Sequence, residues 1–217
     1  MPSKKLGKVK KVSEENKIKV PLVKEGFREI GFIGIILVII ALTIPLKTFA
    51  PVISSEIKYQ INKKNSELAE ATPVNTDFSI VIPKIAANTK VIKNTNPFNP
   101  QIYQQALTQG VAHASTSDTP DKSGNVFIFA HSAGNWYQAN QYNAVFYLLN
   151  KLNSGDEIFV YYQNQKYTYS VDQVKTVDPK QTDYLNHNFG QHQLTLMTCW
   201  PPGTTLKRLL VTATLKK

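Results

Sequence analysis

The sequence predicts a mainly β domain, a small barrel or sandwich. Three observations carry this: short apolar runs of strand length from Phe78 onward, turn residues between them, and few segments of helical period. About 140 residues lie beyond Phe78, enough for one domain with its own core.

The predicted strands are Phe78 to Ile82, Val91 to Lys93, Asn125 to His131, Glu157 to Tyr162, Lys166 to Val174, Gln193 to Thr198 and Lys207 to Thr214. Most are rich in β-branched or aromatic residues, and turn residues punctuate the stretch that holds them. Glu157 to Val174 reads as a hairpin turning at Gln163-Asn164-Gln165, with Tyr167, Tyr169 and Val171 on one face. Two helical pieces interrupt the strands, Pro100 to Leu107 and Tyr142 to Leu152. No internal repeat or low-complexity tract is present.

Residues 30–46 carry no charge and are dominated by Ile, Leu, Val and Phe. At about 1.5 Å per residue a helix here covers roughly 25 Å, the lower limit for a bilayer core, and Lys47 can snorkel to extend it. A buried core helix would show an apolar stripe. This segment is apolar all round except at Thr43, so a transmembrane anchor is the expectation.

Residues 1–29 hold nine Lys/Arg against four Glu, a net +5. Basic residues favour the cytoplasmic side, which puts the amino terminus inside and the chain beyond Lys47 outside. This topology accounts for half of the chain's +10 and weakens any inference from charge to nucleic-acid binding. No glycine-flanked aromatic strand motif or zinc-finger spacing restores that reading. The apolar run exceeds the usual signal-peptide core, and Pro51 follows Thr48-Phe49-Ala50, a poor setting for cleavage. The expected organisation is a basic cytoplasmic tail (1–29), an anchor (30–46), an extracytoplasmic stalk (47–76) and a globular domain (77–217). Within the stalk, Glu56 to Ala71 can form a helix with a thin apolar face formed by Ile57, Ile61 and Leu68.

The chain has one cysteine, Cys199, so no internal disulfide can form. An unpaired thiol outside the cell calls for an explanation. It ends the run Leu194-Thr195-Leu196-Met197-Thr198-Cys199. A catalytic thiol needs a cation or base nearby, and four histidines are available: His113, His131, His187 and His192. His131 ends the apolar run Asn125 to Ala130, where a buried strand would deliver its imidazole to a strand end. Such a histidine is more often structural than catalytic, and the residues alone leave both readings open. His187 and His192 fall in or beside a polar loop and read as solvated. Arg208 can hold a developing oxyanion, although its spacing alone favours an ordinary surface arginine beside Lys207. One cysteine and scattered histidines give no zinc-ligand spacing, and no calcium-loop motif is present.

Four features, in this order, resemble the sortases, membrane-anchored cysteine transpeptidases of bacterial surfaces. They are Ile82-Pro83-Lys84-Ile85, the strand-ending Phe129-Ala130-His131, Thr195-Leu196-Met197-Thr198-Cys199, and Lys207-Arg208-Leu209-Leu210. His131 lies 68 residues before Cys199. Gly110-Val111-Ala112-His113 is also similar to a segment of some sortases, in which that histidine is not the catalytic one. The resemblance covers the chain from about Phe78 onward, class D or E being nearest.

The resemblance implies an eight-stranded β-barrel behind a single transmembrane helix, with His131 after the fourth strand, Cys199 at the end of the seventh and Arg208 in the eighth. It implies that Cys199 attacks the threonine carbonyl of a Leu-Pro-x-Thr-Gly-like sorting signal and forms a thioester. His131 then serves as general acid and base, and Arg208, helped by Thr198, orients the substrate or steadies the oxyanion. The acceptor is an amine, on a cell-wall precursor or a pilin lysine. Trp200, Thr195 and His113 are candidates for the substrate groove. No cofactor is implied; some sortases bind calcium, but Asp118 and Asp121 are the only nearby acidic residues and read as solvent-facing. The loop Trp200 to Thr205 is short and proline-stiffened, and the loop from about Val177 to His192 lacks an obvious apolar clamp.

Two other readings are a non-enzymatic anchored β-domain, either a binding module or a degenerate sortase, and another extracytoplasmic cysteine peptidase. The L,D-transpeptidases also place histidine before cysteine, but carry Ser/Thr-x-Gly-Cys where this chain has Leu196-Met197-Thr198-Cys199. The papain-like order puts cysteine first, and the caspase-like signature is absent.

Overall fold

The computed structural model describes residues 32–43, 53–54, 56–57, 59–61, 72–132, 145–182, 184 and 192–216. Residues 32–43 form a helix, α1, with exposed side chains. Among the described residues no helix is long and apolar enough to cross a membrane. The basic tail, residues 30, 31 and 44–46 of the expected span, and most of the stalk lie outside the described residues.

Eight strands close into a barrel in the order β1-β2-β3-β4-β7-β8-β6-β5. They are β1 (Phe78–Ile82), β2 (Ala87–Thr95), β3 (Val111–Ala114), β4 (Asn125–Phe129), β5 (Glu157–Tyr162), β6 (Gln165–Val177), β7 (Gln193–Trp200) and β8 (Lys207–Leu215). The β2–β3 and β4–β7 pairs are parallel and the other six antiparallel. Closure removes unpaired edges, and the interior is filled by alternate residues of each strand, among them Ile80, Ile82, Ile128, Ile158, Leu194 and Leu196. Each such buried side chain contributes about 1.5–3 kcal/mol of transfer free energy.

β4 is buried on both faces along its whole length, as a strand with a parallel neighbour and covered faces should be. Its uninterrupted Val-Phe-Ile-Phe run encodes this. β1 and β5 have the predicted bounds, and the other predicted strands differ by one to four residues at an end. β3 was not expected as a strand. Its four residues are small or polar apart from Val111, and Gly110 sets up its approach to β2: a Cβ there would lie 2.4 Å from the Lys90 carbonyl oxygen.

The hairpin between β5 and β6 turns on two residues rather than three. Tyr162 pairs with Gln165, and both Gln163 and Asn164 take positive φ, of 50° and 64°, the pattern of a type I′ turn. The second predicted helix is corrected: residues 145–148 form turns and Leu149–Lys151 a single 3-10 turn, while 142–144 lie outside the described residues. Phe146, Leu148, Leu149 and Leu152 are all buried, so packing in several directions wins over one amphipathic stripe.

α2 spans Pro100–Leu107, as predicted. Asn99 caps it by accepting from the Gln101 and Ile102 N–H groups, and Pro100 supplies a first-turn residue that needs no donor. Ala106 and Leu107 bury its inner face.

Candidate active site

Strand alternation and register decide which side chains meet. β7 runs between β4 and β8, and directly paired residues point to the same side of the wall. Cys199 pairs with Arg208, Met197 with Phe129 and Leu210, and Thr195 with Phe127 and Thr212. These residues therefore share the outer face, opposite to Leu194, Leu196 and Thr198, which are buried in the core. His131 follows Phe129 by two residues, past the end of β4, and both meet α2, through Gln104 and Tyr103 respectively.

Beyond the last β4–β7 pair, the Ala130 N–H still donates to the Met197 carbonyl at 3.1 Å. The Thr198 hydroxyl donates to the Ala130 carbonyl at 2.9 Å. These two bonds hold the chain leading into His131 to β7 at the end where Cys199 lies, and Arg208 pairs with Cys199 from β8. All three are half-buried, reachable from solvent yet partly shielded from it.

Phe127, Phe129, Met197 and Thr195 floor the outer face below these residues. Thr195 is buried and its hydroxyl donates to Asn125 Oδ1 at 2.9 Å. α2 closes one side, with the Tyr103 ring edge-on to Phe129 at 6.3 Å and Gln104 Oε1 3.2 Å from His131 Nε2. Tyr184 covers Phe127, its ring stacked at 5.9 Å and 17°. The Asn125 amide donates to the Tyr184 carbonyl at 3.4 Å.

Burial holds the His131 pKa below its ordinary value, so the neutral imidazole is favoured in the free protein. Burial pushes the Tyr184 phenol up; the Arg208 guanidinium pulls it down and Cys199 pushes it up, so the phenol lies within electrostatic reach of both. Arg208 Nη1 donates to the carbonyls of Thr205 at 3.1 Å and Lys207 at 3.2 Å, which fixes the start of β8 to the loop after Cys199.

His113 lies elsewhere. It pairs with Ile128, an inward residue, so its ring enters the barrel, fully buried, and touches Phe78. Its Nε2 donates to the Asp118 carbonyl at 2.9 Å and its Nδ1 accepts from the Asn94 N–H at 3.4 Å. The expectation that His113 helps line the groove is corrected: strand alternation sends it through the other side of the wall. Trp200 alternates with Cys199 at the end of β7 and is half-buried. His192 stands seven residues before Cys199, at the other end of β7, and His187 lies outside the described residues. Among the described residues no group of three or more His, Cys, Asp or Glu is placed to hold a metal ion.

Sequence reasoning missed Gln104, Tyr103 and Tyr184. Gln104 and Tyr103 lie on an ordinary amphipathic helix with no motif. Tyr184 shares a mostly polar loop with Leu185 and Phe189 in the sequence, and only its stacking on Phe127 singles it out.

A Sortase domain family model matches residues 80–216, and the chain belongs to the sortase family. It is 26% identical over 133 residues to Sortase D of Bacillus subtilis, covering 60% of this chain and 59% of that protein. It is 28% identical over 139 residues to Sortase A of Listeria monocytogenes, covering 64% of this chain and 56% of that one. The match thus spans somewhat over half the length of these curated relatives. The structure of a Clostridium perfringens sortase C, solved with the C-terminal cell wall sorting motif, superposes with a TM-score of 0.55 at 24% identity, covering 77% of this chain and 89% of that one. At that identity the likeness concerns the fold.

Proposed function

We propose that this protein is a sortase-type cysteine transpeptidase, cleaving a Leu-Pro-x-Thr-Gly-like sorting signal through a Cys199 thioester and passing the acyl group to an amine. The carrying observation is the shared outer face of β4, β7 and β8. That face carries Cys199 with its partner Arg208 above a floor of Phe127, Phe129 and Met197, and His131 follows just past the end of β4.

The neutral His131 imidazole takes the Cys199 thiol proton, and the resulting thiolate attacks the threonine carbonyl carbon as the carbonyl π electrons move onto oxygen. The Arg208 guanidinium stabilises that oxyanion, with Thr198 fixing the strand end beneath it. Collapse expels the glycine-side amine, which takes a proton from the His131 imidazolium, and leaves a thioester on Sγ. An incoming amine, on a cell-wall precursor or a pilin lysine, gives its proton to His131 and attacks the thioester carbon. Collapse then releases the Cys199 thiolate with a new amide. Water in place of the amine gives hydrolysis.

The apolar floor and the Tyr184 cover suit the apolar residues of such a signal, with Thr195 and Met197 as its groove residues. The uncharged segment 30–46 and the +5 tail before it support a single-pass membrane protein with its amino terminus in the cytoplasm and its catalytic domain outside. The reaction as written needs no metal or cofactor.

Full-length protein incubated with sorting-signal peptides and an amine nucleophile should release the glycine-side fragment and form the ligated peptide. Cys199→Ala should form neither. Equal product with Cys199→Ala would reject the reading.

A further inference from the structure

The Gln104–His131 hydrogen bond joins a helix to a strand end across 27 residues of sequence, and the reaction just described does not use it. Gln104 presents Oε1, an oxygen that only accepts, to His131 Nε2. A bond there requires hydrogen on Nε2. In the neutral ring this leaves the lone pair on Nδ1.

We propose that Gln104 is a positioning residue that locks His131 in the Nε2–H tautomer and so makes Nδ1 the atom that takes and delivers protons at the thioester site. The inference rests on the reading of His131 as the general acid and base. On the outward step, Nδ1–H of the imidazolium gives its proton to the departing amine, and the ring is left neutral with Nε2–H on Gln104. On the return step Nδ1 accepts the proton of the incoming amine. Nε2–H stays bonded to Oε1 throughout, so the ring need not rotate or exchange tautomers between half-reactions.

The geometry around the pair supports a rigid role. α2 is fixed at its start by the Asn99 cap and along its length by the buried Ala106 and Leu107. Tyr103, next to Gln104, packs edge-on against Phe129, two residues before His131. Helix and strand end are thus held at two adjacent points. Burial disfavours the imidazolium at this position, and a carbonyl acceptor on Nε2–H opposes that cost.

The test combines nitrogen NMR of the full-length protein carrying 15N-labelled histidine with steady-state kinetics of Gln104→Leu, Gln104→Asn and Gln104→Glu. His131→Gln assigns the signals. Wild type should show His131 as the Nε2–H tautomer when neutral; Gln104→Leu should show a mixture. A shortened Asn should not reach and should behave like Leu. Both should lose about five- to tenfold in kcat, the scale of one hydrogen bond, with KM changed by less than about twofold. Gln104→Glu should keep the tautomer and raise by about one unit the pH limb that belongs to His131, because a carboxylate favours the imidazolium.

An Nδ1–H tautomer in the wild type would overturn the proposal even if every variant folded poorly. So would Gln104→Leu with unchanged kcat and pH profile, which would make Gln104 a tether for α2 only. Full turnover in His131→Ala would instead overturn the acid–base reading, and Nδ1's role with it. The tautomer measurement separates these two failures.

Discussion

The Thr198 hydroxyl donates to the Ala130 carbonyl at 2.9 Å, a buried bond between the residue before Cys199 and the residue before His131. Two side chains proposed to exchange a proton during one reaction are therefore tied together through their immediate neighbours. Thr198 faces the core, so its part is to hold the two strand ends in register.

Thr198→Val keeps the shape and removes the donor, leaving a buried carbonyl unpaired at a cost of about 1–2 kcal/mol. Chemical denaturation should report that loss. Turnover should fall by about tenfold or more in kcat, because a small misplacement of reacting groups is costly, whereas Thr198→Ser should retain most of both. Unchanged kcat in Thr198→Val would mean that the bond does not set the geometry.

Arg208 is the direct cross-strand partner of Cys199. If its guanidinium meets the oxyanion, Arg208→Lys should lose roughly a hundredfold in kcat, the scale for one donor at such a position, with little change in stability. A change within twofold in peptide-cleavage kinetics would return Arg208 to the role of a surface residue.

Acid should destabilise the barrel through His113. Burial is the largest cause lowering its pKa; nearby Lys93 adds to this, while the Asp118 carbonyl and carboxylate oppose it. Between the folded value and the unfolded value of about 6.5, the unfolded chain binds the proton that the folded chain refuses. Stability therefore rises with pH across that window and is lost as pH falls below about 6.5, by at most about 1.4 kcal/mol per pH unit for this group. His131, also lowered by burial, acts in the same direction. Melting temperature followed from pH 7.5 downward should decline, and His113→Gln should flatten part of the slope. An equal slope in the variant would exclude His113 as a source.

Gly110→Ala should destabilise the domain by about 1–3 kcal/mol. Its new Cβ would meet the Lys90 carbonyl oxygen at 2.4 Å, and a backbone oxygen within the β2–β3 wall cannot move aside as a flexible side chain could. Thermal melting of the variant checks this; an unchanged melting temperature would show that β3 can shift without loss.

Much of this fold was legible because strand β4 and strand β7 are written as apolar runs whose period and length leave little choice. β3 was not, since Ala112, His113 and Ala114 carry no strand signature and owe their place to β2 and β4 on either side. The second helix misled because Phe146, Leu148, Leu149 and Leu152 are buried in several directions, which local spacing cannot distinguish from one apolar face. At the site, Cys199, His131 and Arg208 stood out through their motifs; register then pairs Cys199 with Arg208, while His131 lies past the end of β4. The burial of His113 on the inner side of the wall needed the register of the β3–β4 pair. Gln104 and Tyr184 depend on contacts between distant segments, and nothing in their own neighbourhoods announced them.

Acylation of Cys199 is the step on which the proposed reaction turns. Intact-mass spectrometry of the full-length protein, mixed with a library of Leu-Pro-x-Thr-Gly-like peptides and quenched in acid without an amine acceptor, measures this most directly. The mass should increase by the acyl group of the peptide's threonine-side fragment, located on Cys199 by fragmentation and discharged by hydroxylamine. No adduct with any peptide, or an adduct that persists in Cys199→Ala, would contradict it.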